Sequence, residues 1–300
     1  MNYMNELISY GLLTTSTVMF GFMFFFKDIF RKNYGSGFRD SFVASLGGGI
    51  FGFIVLALIN GLSFEFSLFA FIMAIISTIN GLLFTFCSLK ALSKINLSLY
   101  SLFSMLGGMA LPFLSGILFH EESVTISKCA CFVIITLALC LTVKKDGSSG
   151  GAFYYAGVFV FNGMSGVISK IYYALPFERI SAAGYSMLTS LVTITVSLLF
   201  VLIIKGEKKK INAATVFAMA GSGSLSRVGN WLLLVALAEL PASAQYPFVT
   251  GGTIIVSTII SFFGKNKPTK KELIAVILAF IGVLTLVLLP SEEIFKITWR

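Results

Sequence analysis

Ten apolar stretches, each about 20 residues long, make up most of this 300-residue chain. A helix that crosses the hydrocarbon core of a bilayer needs about that length, because its backbone polar groups must all pair within the segment. The composition agrees, since 57% of the residues are hydrophobic and only 12% are charged, unlike a globular protein. The sequence therefore predicts an all-α membrane protein with ten transmembrane helices. We place these spans at Leu7–Phe26, Ser41–Asn60, Phe66–Ser88, Leu97–Phe119, Thr125–Val143, Ala152–Tyr173, Ser181–Ile204, Ile211–Leu237, Ala242–Gly264 and Glu272–Leu289.

Basic residues alternate between the links that join the spans. Links after the odd-numbered spans are rich in lysine and arginine, whereas the other links are acidic or nearly uncharged. Cytoplasmic loops accumulate these residues, so the alternation supports the number of spans and predicts that both termini lie outside. We expect a multi-pass protein of the cell membrane, plasma or inner, whose first span is retained. The basic links contain Lys27/Arg31/Lys32/Arg39, Lys90/Lys94, Lys144/Lys145, Lys205/Lys208/Lys209/Lys210 and Lys265/Lys267/Lys270/Lys271.

Other classes of protein fit the sequence poorly. The net charge of +9 comes mostly from those links, so membrane topology explains it better than nucleic-acid binding does. The four cysteines lie in apolar runs at spacings that match neither a zinc site nor a redox motif, and the single histidine, His120, lies in an outer turn. The sequence has no arrangement typical of a nucleophile with its base. We expect no enzyme activity, metal or cofactor, the bilayer and a small-molecule substrate as partners, and a monomer or weak homodimer.

The two halves of the sequence are related. KALSKINLSLYSLFSMLGG, which ends at Gly107–Gly108, overlays VALAELPASAQYPFVTGG, which ends at Gly251–Gly252, if one position is gapped. Five spans per half is an odd number, so the second copy crosses the membrane in the opposite sense. We therefore expect two inverted repeats, at residues 1–146 and 151–290, followed by a short tail at 291–300. Such repeats are typical of transporters, whose halves rock about a site near the membrane midplane.

With these segments, the chain resembles the drug/metabolite transporter superfamily, in particular its ten-span EamA-type members. The resemblance rests on ALSKINLSLYS and ALAELPASAQYP, each followed by a further apolar helix, FHEESVTISKCACFVIITLAL or FGKNKPTKKELIAVILAFIGVLTL. It implies alternating-access transport through a central cavity. The cavity would be lined by the first, third, fourth, sixth, eighth and ninth spans, with the fifth and tenth at the periphery.

Arg227 lies at the midpoint of the apolar stretch AMAGSGSLSRVGNWLLLVAL. An arginine at membrane depth costs about 2.5 to 3.5 kcal/mol on insertion scales, so it normally faces a cavity or a partner. The predicted spans contain no deep carboxylate. Three interpretations remain open: a ligand for an anionic substrate, a cap for a helix end, or a side chain that reaches the interface. Asn230 and Trp231, one turn away, would complete a substrate-binding face.

Polar residues at helical spacing supply the other binding candidates. The ninth span carries Tyr246 and Thr250 on one stripe, which fits either a cavity wall or hydrogen-bonded helix packing. Lys170 lies near the outer end of the sixth span, where a long side chain can reach the interface. The remaining predicted substrate-binding residues are Thr14, Thr17, Ser77, Asn80, Phe84, Ser104, Asn162 and Ser165.

Glycine pairs recur in the fourth and ninth spans. Gly107–Gly108 is followed by Pro112, and Gly251–Gly252 is preceded by Pro247. Residues of these types permit the bending that alternating access needs, and they also allow helices to pack closely. We predict bending or gating at both pairs, with close packing as the alternative.

The resulting hypothesis is a secondary transporter for a small metabolite with an anionic group, such as an amino acid or another organic acid. The alternative is an exporter of organic cations or drugs, which would bind substrate through aromatic faces. Small relatives of that kind use a membrane-embedded glutamate, which this sequence lacks.

Overall fold

The computed structural model describes residues 3–119, 124–142, 149–205, 209–236, 242–263, 267–288 and 293–295. This part of the chain forms ten α-helices in the predicted order. The helices are α1 (Tyr3–Asn33), α2 (Phe38–Ile59), α3 (Leu68–Leu92), α4 (Leu97–Phe119), α5 (Ile126–Thr142), α6 (Ser149–Ala174), α7 (Ala182–Ile203), α8 (Ala213–Ala236), α9 (Ala242–Phe262) and α10 (Lys270–Leu288). One short antiparallel pair of strands, β1 (Val124–Thr125) and β2 (Glu293–Phe295), joins the segment after α4 to the segment after α10.

Six of the helices are long and apolar enough to cross a membrane by length and composition: α1, α2, α3, α4, α6 and α7. Polar residues such as Arg227 and Asn230 interrupt the apolar character of α8. Among the residues whose side chains the structure describes, α5 and α9 include the apolar segments Cys129–Ala138 and Phe248–Phe262. The structure therefore fits an all-α membrane protein, while the assignment of all ten helices as spans stays a prediction.

The first helix is longer than the sequence indicated. We predicted that the span ends at Phe26 and that Lys27, Arg31 and Lys32 belong to a link, but α1 continues to Asn33. Asp28 pairs with Arg31 and Lys32, three and four positions further on, and such pairs stabilise a helix in water. The assignment of these three basic residues to a link is therefore wrong, and Lys27 in particular lies within the bundle of helices.

The pattern of helix contacts is preserved when each helix is exchanged for the helix whose number differs by five, so that α1 takes the place of α6 and α6 that of α1. The contact of α1 with α8 corresponds to that of α6 with α3, and the contact of α4 with α6 corresponds to that of α9 with α1. The contact of α2 with α8 likewise corresponds to that of α7 with α3. The exchanged partners α2 and α7, α4 and α9, and α5 and α10 also pack on each other. The most extensive helix contacts thus each have a counterpart under this exchange.

Helices α2 and α7 run antiparallel, and side-chain contacts connect them at both ends and in the adjoining links. At one end of the pair, the Phe42 and Phe200 rings stack with centroids 4.7 Å apart, and at the other Asn60 Nδ2 lies 3.7 Å from Met187 Sδ. Beyond the first end, the buried Asp40 accepts a 2.7 Å hydrogen bond from Lys209 Nζ, in the link before α8. A ring stack and an ion pair between the buried Asp40 and the exposed Lys209 therefore hold one end of this helix pair.

At the other end, Glu65 in the α2–α3 link binds the start of α7. Its carboxylate accepts hydrogen bonds from the backbone N–H and the hydroxyl of Ser181, the residue that caps α7. The Ser181 hydroxyl in turn accepts from Gly184 N at 3.0 Å, which satisfies one of the free N–H groups of the first turn. The bonds from Ser181 to the carboxylate hold the pKa of Glu65 below its usual value.

We expect this contact to make stability depend on pH in the acidic range. A carboxylate whose pKa is lowered by folding stabilises the folded state above its unfolded pKa, about 4.3 for glutamate, and loses that contribution as the pH falls through the folded pKa. The melting temperature of Glu65→Gln should therefore lie below that of the native protein at neutral pH, and the difference should vanish in acid. The difference should be small, because the carboxylate is largely in solvent. Glu178→Gln, on the same surface, is the control; an equal, pH-dependent loss in that variant would contradict the assignment.

Candidate functional site

A cavity of about 280 Å³ lies between the helices of the two halves. This volume is near the lower limit of small-molecule sites, which are typically about 300 to 1,000 Å³. Residues from α1, α3, α4, α6, α8 and α9 line it, as the family resemblance implied, but α2 and α7 contribute as well. Gly48 and Gly49 of α2 and Thr189 of α7 are among the additional lining residues. The site therefore takes its walls from eight helices rather than six.

Glycines bring α2 and α8 close enough to form one wall of this cavity. A Cβ atom added to Gly223 would lie 2.2 Å from the carbonyl oxygen of Gly48, so the two backbones are in direct contact. A Cβ atom at Gly52 would lie 2.5 Å from Cγ of Arg227. The glycine-rich face of α2 therefore leaves the space that the side chain of Arg227 occupies.

Arg227 lines the cavity from the interior of α8, away from both ends of that helix. Its Nη2 donates a 3.0 Å hydrogen bond to Thr193 Oγ1. The Thr193 hydroxyl donates its own proton to the Thr189 carbonyl at 2.7 Å, so its lone pairs are available to the arginine and to Thr78 Oγ1, which is 3.2 Å away. A guanidinium has five N–H donors, and this bond with Thr193 uses one of them. The position argues against the helix-capping interpretation and leaves donors available to a ligand.

A second cation, Lys27 of α1, also lines the cavity. Its Nζ lies 4.3 Å from the centroid of the Phe84 ring, within range of a cation–π interaction. Sequence analysis missed this residue because it directly follows an aromatic run, where a loop was expected. One signal was available, since Lys27 follows Gly21 much as Lys170 follows Gly163 in the second half. Among the lining residues that the structure describes, Arg227 and Lys27 carry positive charges and none is Asp or Glu.

Nine of the residues predicted for binding or gating line the cavity. Several of their polar groups are used within the wall: Asn80 Nδ2 donates to Ser165 Oγ at 2.8 Å, and Ser77 Oγ lies 2.7 Å from the Tyr185 hydroxyl. These residues therefore shape the cavity as well as face it. The nine are Arg227, Asn230, Asn162, Ser165, Ser77, Asn80, Phe84, Thr250 and Gly108.

Four predicted binding residues lie outside the lining. Thr14 is exposed, and Ser104 is fully buried, with its carbonyl oxygen accepting a 2.6 Å bond from Asn162 Nδ2. Thr17 is buried, and its Cγ2 is packed toward Gly252 of α9. Trp231 packs with the α2 and α7 residues Leu56, Ala57 and Met187 instead of stacking beside Arg227, because α2 covers that face of α8. The side chains of Tyr246 and Pro247 lie outside the described part of the chain.

The glycine pairs serve as helix contacts in this structure. Both α4 and α9 are helical through the pairs, including Gly251 and, in α4, Pro112. A Cβ atom at Gly107 would lie 1.9 Å from the Phe159 carbonyl oxygen of α6, and one at Gly252 would lie 2.4 Å from Thr17 Cγ2 of α1. The close-packing alternative describes these contacts, and bending at the pairs stays a prediction.

Lys170 does not extend away from the bundle. Its Nζ donates a 3.1 Å hydrogen bond to the carbonyl oxygen of Pro112. The ammonium is thus directed from α6 to α4, whereas our preferred interpretation from the sequence was reach toward the membrane interface.

Comparison with known proteins gives a family match to part of the chain. Residues 149–288 match the EamA-like transporter family. The match is consistent with the class that the sequence resemblance implied, a multi-pass membrane transporter of small solutes. No curated protein matches the chain. A solved crystal structure aligns with a TM-score of 0.63 over 95% of this chain and 98% of that one, and at 13% identity this shows a shared fold alone.

Proposed function

We propose that this protein is a secondary transporter for a small metabolite with an anionic group, such as an amino acid or another organic acid. The observation that carries the proposal is the charge of the cavity: Arg227 and Lys27 line it, and its described lining includes no carboxylate. A buried cation without a carboxylate partner favours an anion at the site, because both charges are costly to desolvate alone.

Arg227 is the residue that we assign to the anionic group. Its planar fork of donors matches a carboxylate, and charge-assisted hydrogen bonds strengthen in a cavity of low dielectric constant. Thr193 holds one end of the fork through its 3.0 Å bond, so the arginine is oriented before the substrate arrives. Asn230 and Ser165 add polar groups for the remainder of the solute.

Transport would proceed by alternating access between two inverted five-helix repeats, with all ten helices spanning the bilayer and both termini outside. The exchange symmetry of the helix contacts supports this arrangement, since the most extensive contacts, which join the two halves, each have a counterpart when helices whose numbers differ by five are exchanged. A cavity at the boundary between the halves would then be exposed to each side in turn as the repeats rock.

An exporter of organic cations is the second candidate. Phenyl rings of the lining, among them Phe20, Phe24 and Phe84, favour it, because aromatic faces attract cations. The two basic side chains oppose it, since a cationic solute would have to approach them without a neutralising carboxylate.

Uptake into proteoliposomes discriminates the two functions. We expect labelled amino acids or organic acids to enter vesicles that contain the purified protein, and unlabelled anionic solutes to compete with them. Organic cations of similar size, such as tetraethylammonium, should neither enter nor compete. Saturable transport of the cations with no transport of any anion would contradict the proposal and favour the exporter.

A further inference from the structure

The cavity contains two cationic groups where the proposed function requires one. We propose that the transported solute carries two anionic groups, as in a short dicarboxylic acid, with Arg227 binding one group and Lys27 the other. This inference rests on the proposed function and specifies its substrate class.

The distance between the guanidinium of Arg227 and the ammonium of Lys27 follows from the α3 residues that each group lies beside. Arg227 Nη2 contacts Thr193 Oγ1, which is 3.2 Å from Thr78 Oγ1, so the guanidinium lies at the level of Thr78. The Lys27 ammonium lies over the ring of Phe84, six positions further along the same helix. At 1.5 Å of rise per residue, the two levels are about 9 Å apart.

The packing of α1 against α8 gives a similar separation independently. The two helices run antiparallel, since Ser16 Oγ donates to the Gly229 carbonyl at 2.9 Å while the Phe26 ring lies against Gly221. Lys27 directly follows Phe26, and Arg227 lies six positions beyond Gly221. Because Lys27 lies one position beyond Phe26, away from Arg227, the separation is about seven positions, or about 10 Å along the helix axis, close to the value from α3.

A single carboxylate does not bridge this gap. Two hydrogen bonds of about 2.9 Å each, with the width of one carboxylate between them, fall short of the separation. Two anionic groups joined by a short chain fit it. The glycines Gly48, Gly49 and Gly81 line the intervening space, so no side chain from these positions divides the cavity.

The contact with the Phe84 ring is not enough by itself to stabilise the ammonium of Lys27 inside the cavity. A cation–π contact offsets only part of the cost of keeping an ammonium in a cavity that has no described carboxylate, and an anionic ligand would offset the rest. An amino acid with a single carboxylate would bring its ammonium group near one of the two cations. Among the solutes that the proposed function admits, the pair of basic residues therefore favours dianions over amino acids with a single carboxylate.

Matched ligands and variants test the assignment. Succinate has two carboxylates, and succinamate has the same carbon skeleton with one of them replaced by an amide. We expect the native protein to bind succinate more tightly, as measured by the rise in melting temperature with ligand concentration and by uptake into proteoliposomes. Lys27→Met should weaken succinate binding roughly tenfold or more, because a charge-assisted bond is lost, and should leave succinamate binding nearly unchanged.

Two further variants control for charge and folding. Lys32 lies five positions beyond Lys27 on α1 and is paired with Asp28, so Lys32→Met removes a positive charge outside the cavity and should behave as the native protein. Lys27→Arg keeps the charge and should retain a preference for succinate. Each variant is compared at equal amounts of folded protein, so a general loss of stability is separated from a change in selectivity.

The possible results distinguish a failure of this inference from a failure of the proposed function. Equal losses of succinate and succinamate in Lys27→Met would overturn the role of Lys27, as would a native protein that binds monoanions but no dicarboxylate among succinate, malate and glutarate. In either case the anion transporter would stand. A native protein that binds and transports no organic anion at all would overturn the proposed function itself.

Discussion

Arg227→Met should abolish transport of anionic solutes while the protein stays folded. The guanidinium is the group that we assign to the substrate, and methionine keeps a long apolar side chain beside Gly52 with no donor. The protein should lose little stability, because Thr193 still donates to Thr189 and contacts Thr78 without the arginine. Removal of a charge that has no described carboxylate partner also relieves an insertion cost of about 2.5 to 3.5 kcal/mol. We expect a melting temperature equal to or above that of the native protein.

The comparison with Arg227→Lys shows whether geometry or charge alone is needed. A lysine supplies the charge but not the planar fork, so transport should be reduced at least tenfold without being lost. Melting temperature and transport per folded molecule have to be measured on the same samples. If Arg227→Met transports at the native rate per folded molecule, the arginine has no part in binding. If its transport falls only in proportion to the amount of folded protein, the arginine is structural.

Gly223→Ala should be the most damaging small substitution in the wall of the cavity. The new Cβ would lie 2.2 Å from the carbonyl oxygen of Gly48 and 2.4 Å from its Cα, and backbone atoms cannot move aside by changing rotamer. The helices α2 and α8 would have to separate, at a cost of about 3 kcal/mol or more. We expect little folded protein, measured as the monodisperse fraction in size-exclusion chromatography in detergent, and a melting temperature lower by many degrees.

The other glycine of the same contact is the matched control. A Cβ atom at Gly48 would lie 3.4 Å from the Cα of Gly223, which is ordinary van der Waals contact, so Gly48→Ala should be tolerated. Gly11→Ala, on α1, meets nothing within 4 Å and should stabilise its helix by roughly 0.5 to 1 kcal/mol. Similar melting temperatures for Gly223→Ala and Gly48→Ala would show that the backbone contact is not as close as the structure indicates.

The helices and the membrane class were available from the sequence because they depend on local properties. A run of apolar residues needs no partner to indicate a helix of membrane length, and the ten helices form in the predicted order. The end of α1 was misplaced for the same reason: charge after Phe26 suggested a loop, but the pairing of Asp28 with Arg31 and Lys32 keeps the helix intact to Asn33. As a result, Lys27 was assigned to a loop by the rule for membrane topology, and its place in the cavity was missed.

Arg227 could be predicted to face a cavity because an arginine within an apolar run is costly wherever the helix packs. The partners of such a residue depend on which helix faces it, and that information is spread over the chain. Neither the contact of Arg227 with Thr193 of α7 nor the packing of Trp231 against α2 follows from spacing along α8.

The glycine pairs show the same division between sequence and tertiary structure. Their sequence allowed both bending and close approach, and only the position of the Phe159 carbonyl beside Gly107 decided that this glycine is a helix contact. The sequence by itself determined the order of the ten helices and predicted a cation at membrane depth in the eighth, since hydropathy and burial cost belong to single segments. Tertiary structure alone decided that Lys27 and Arg227 line one cavity, because residues 200 positions apart in a chain meet only through the packing of α1, α3, α7 and α8.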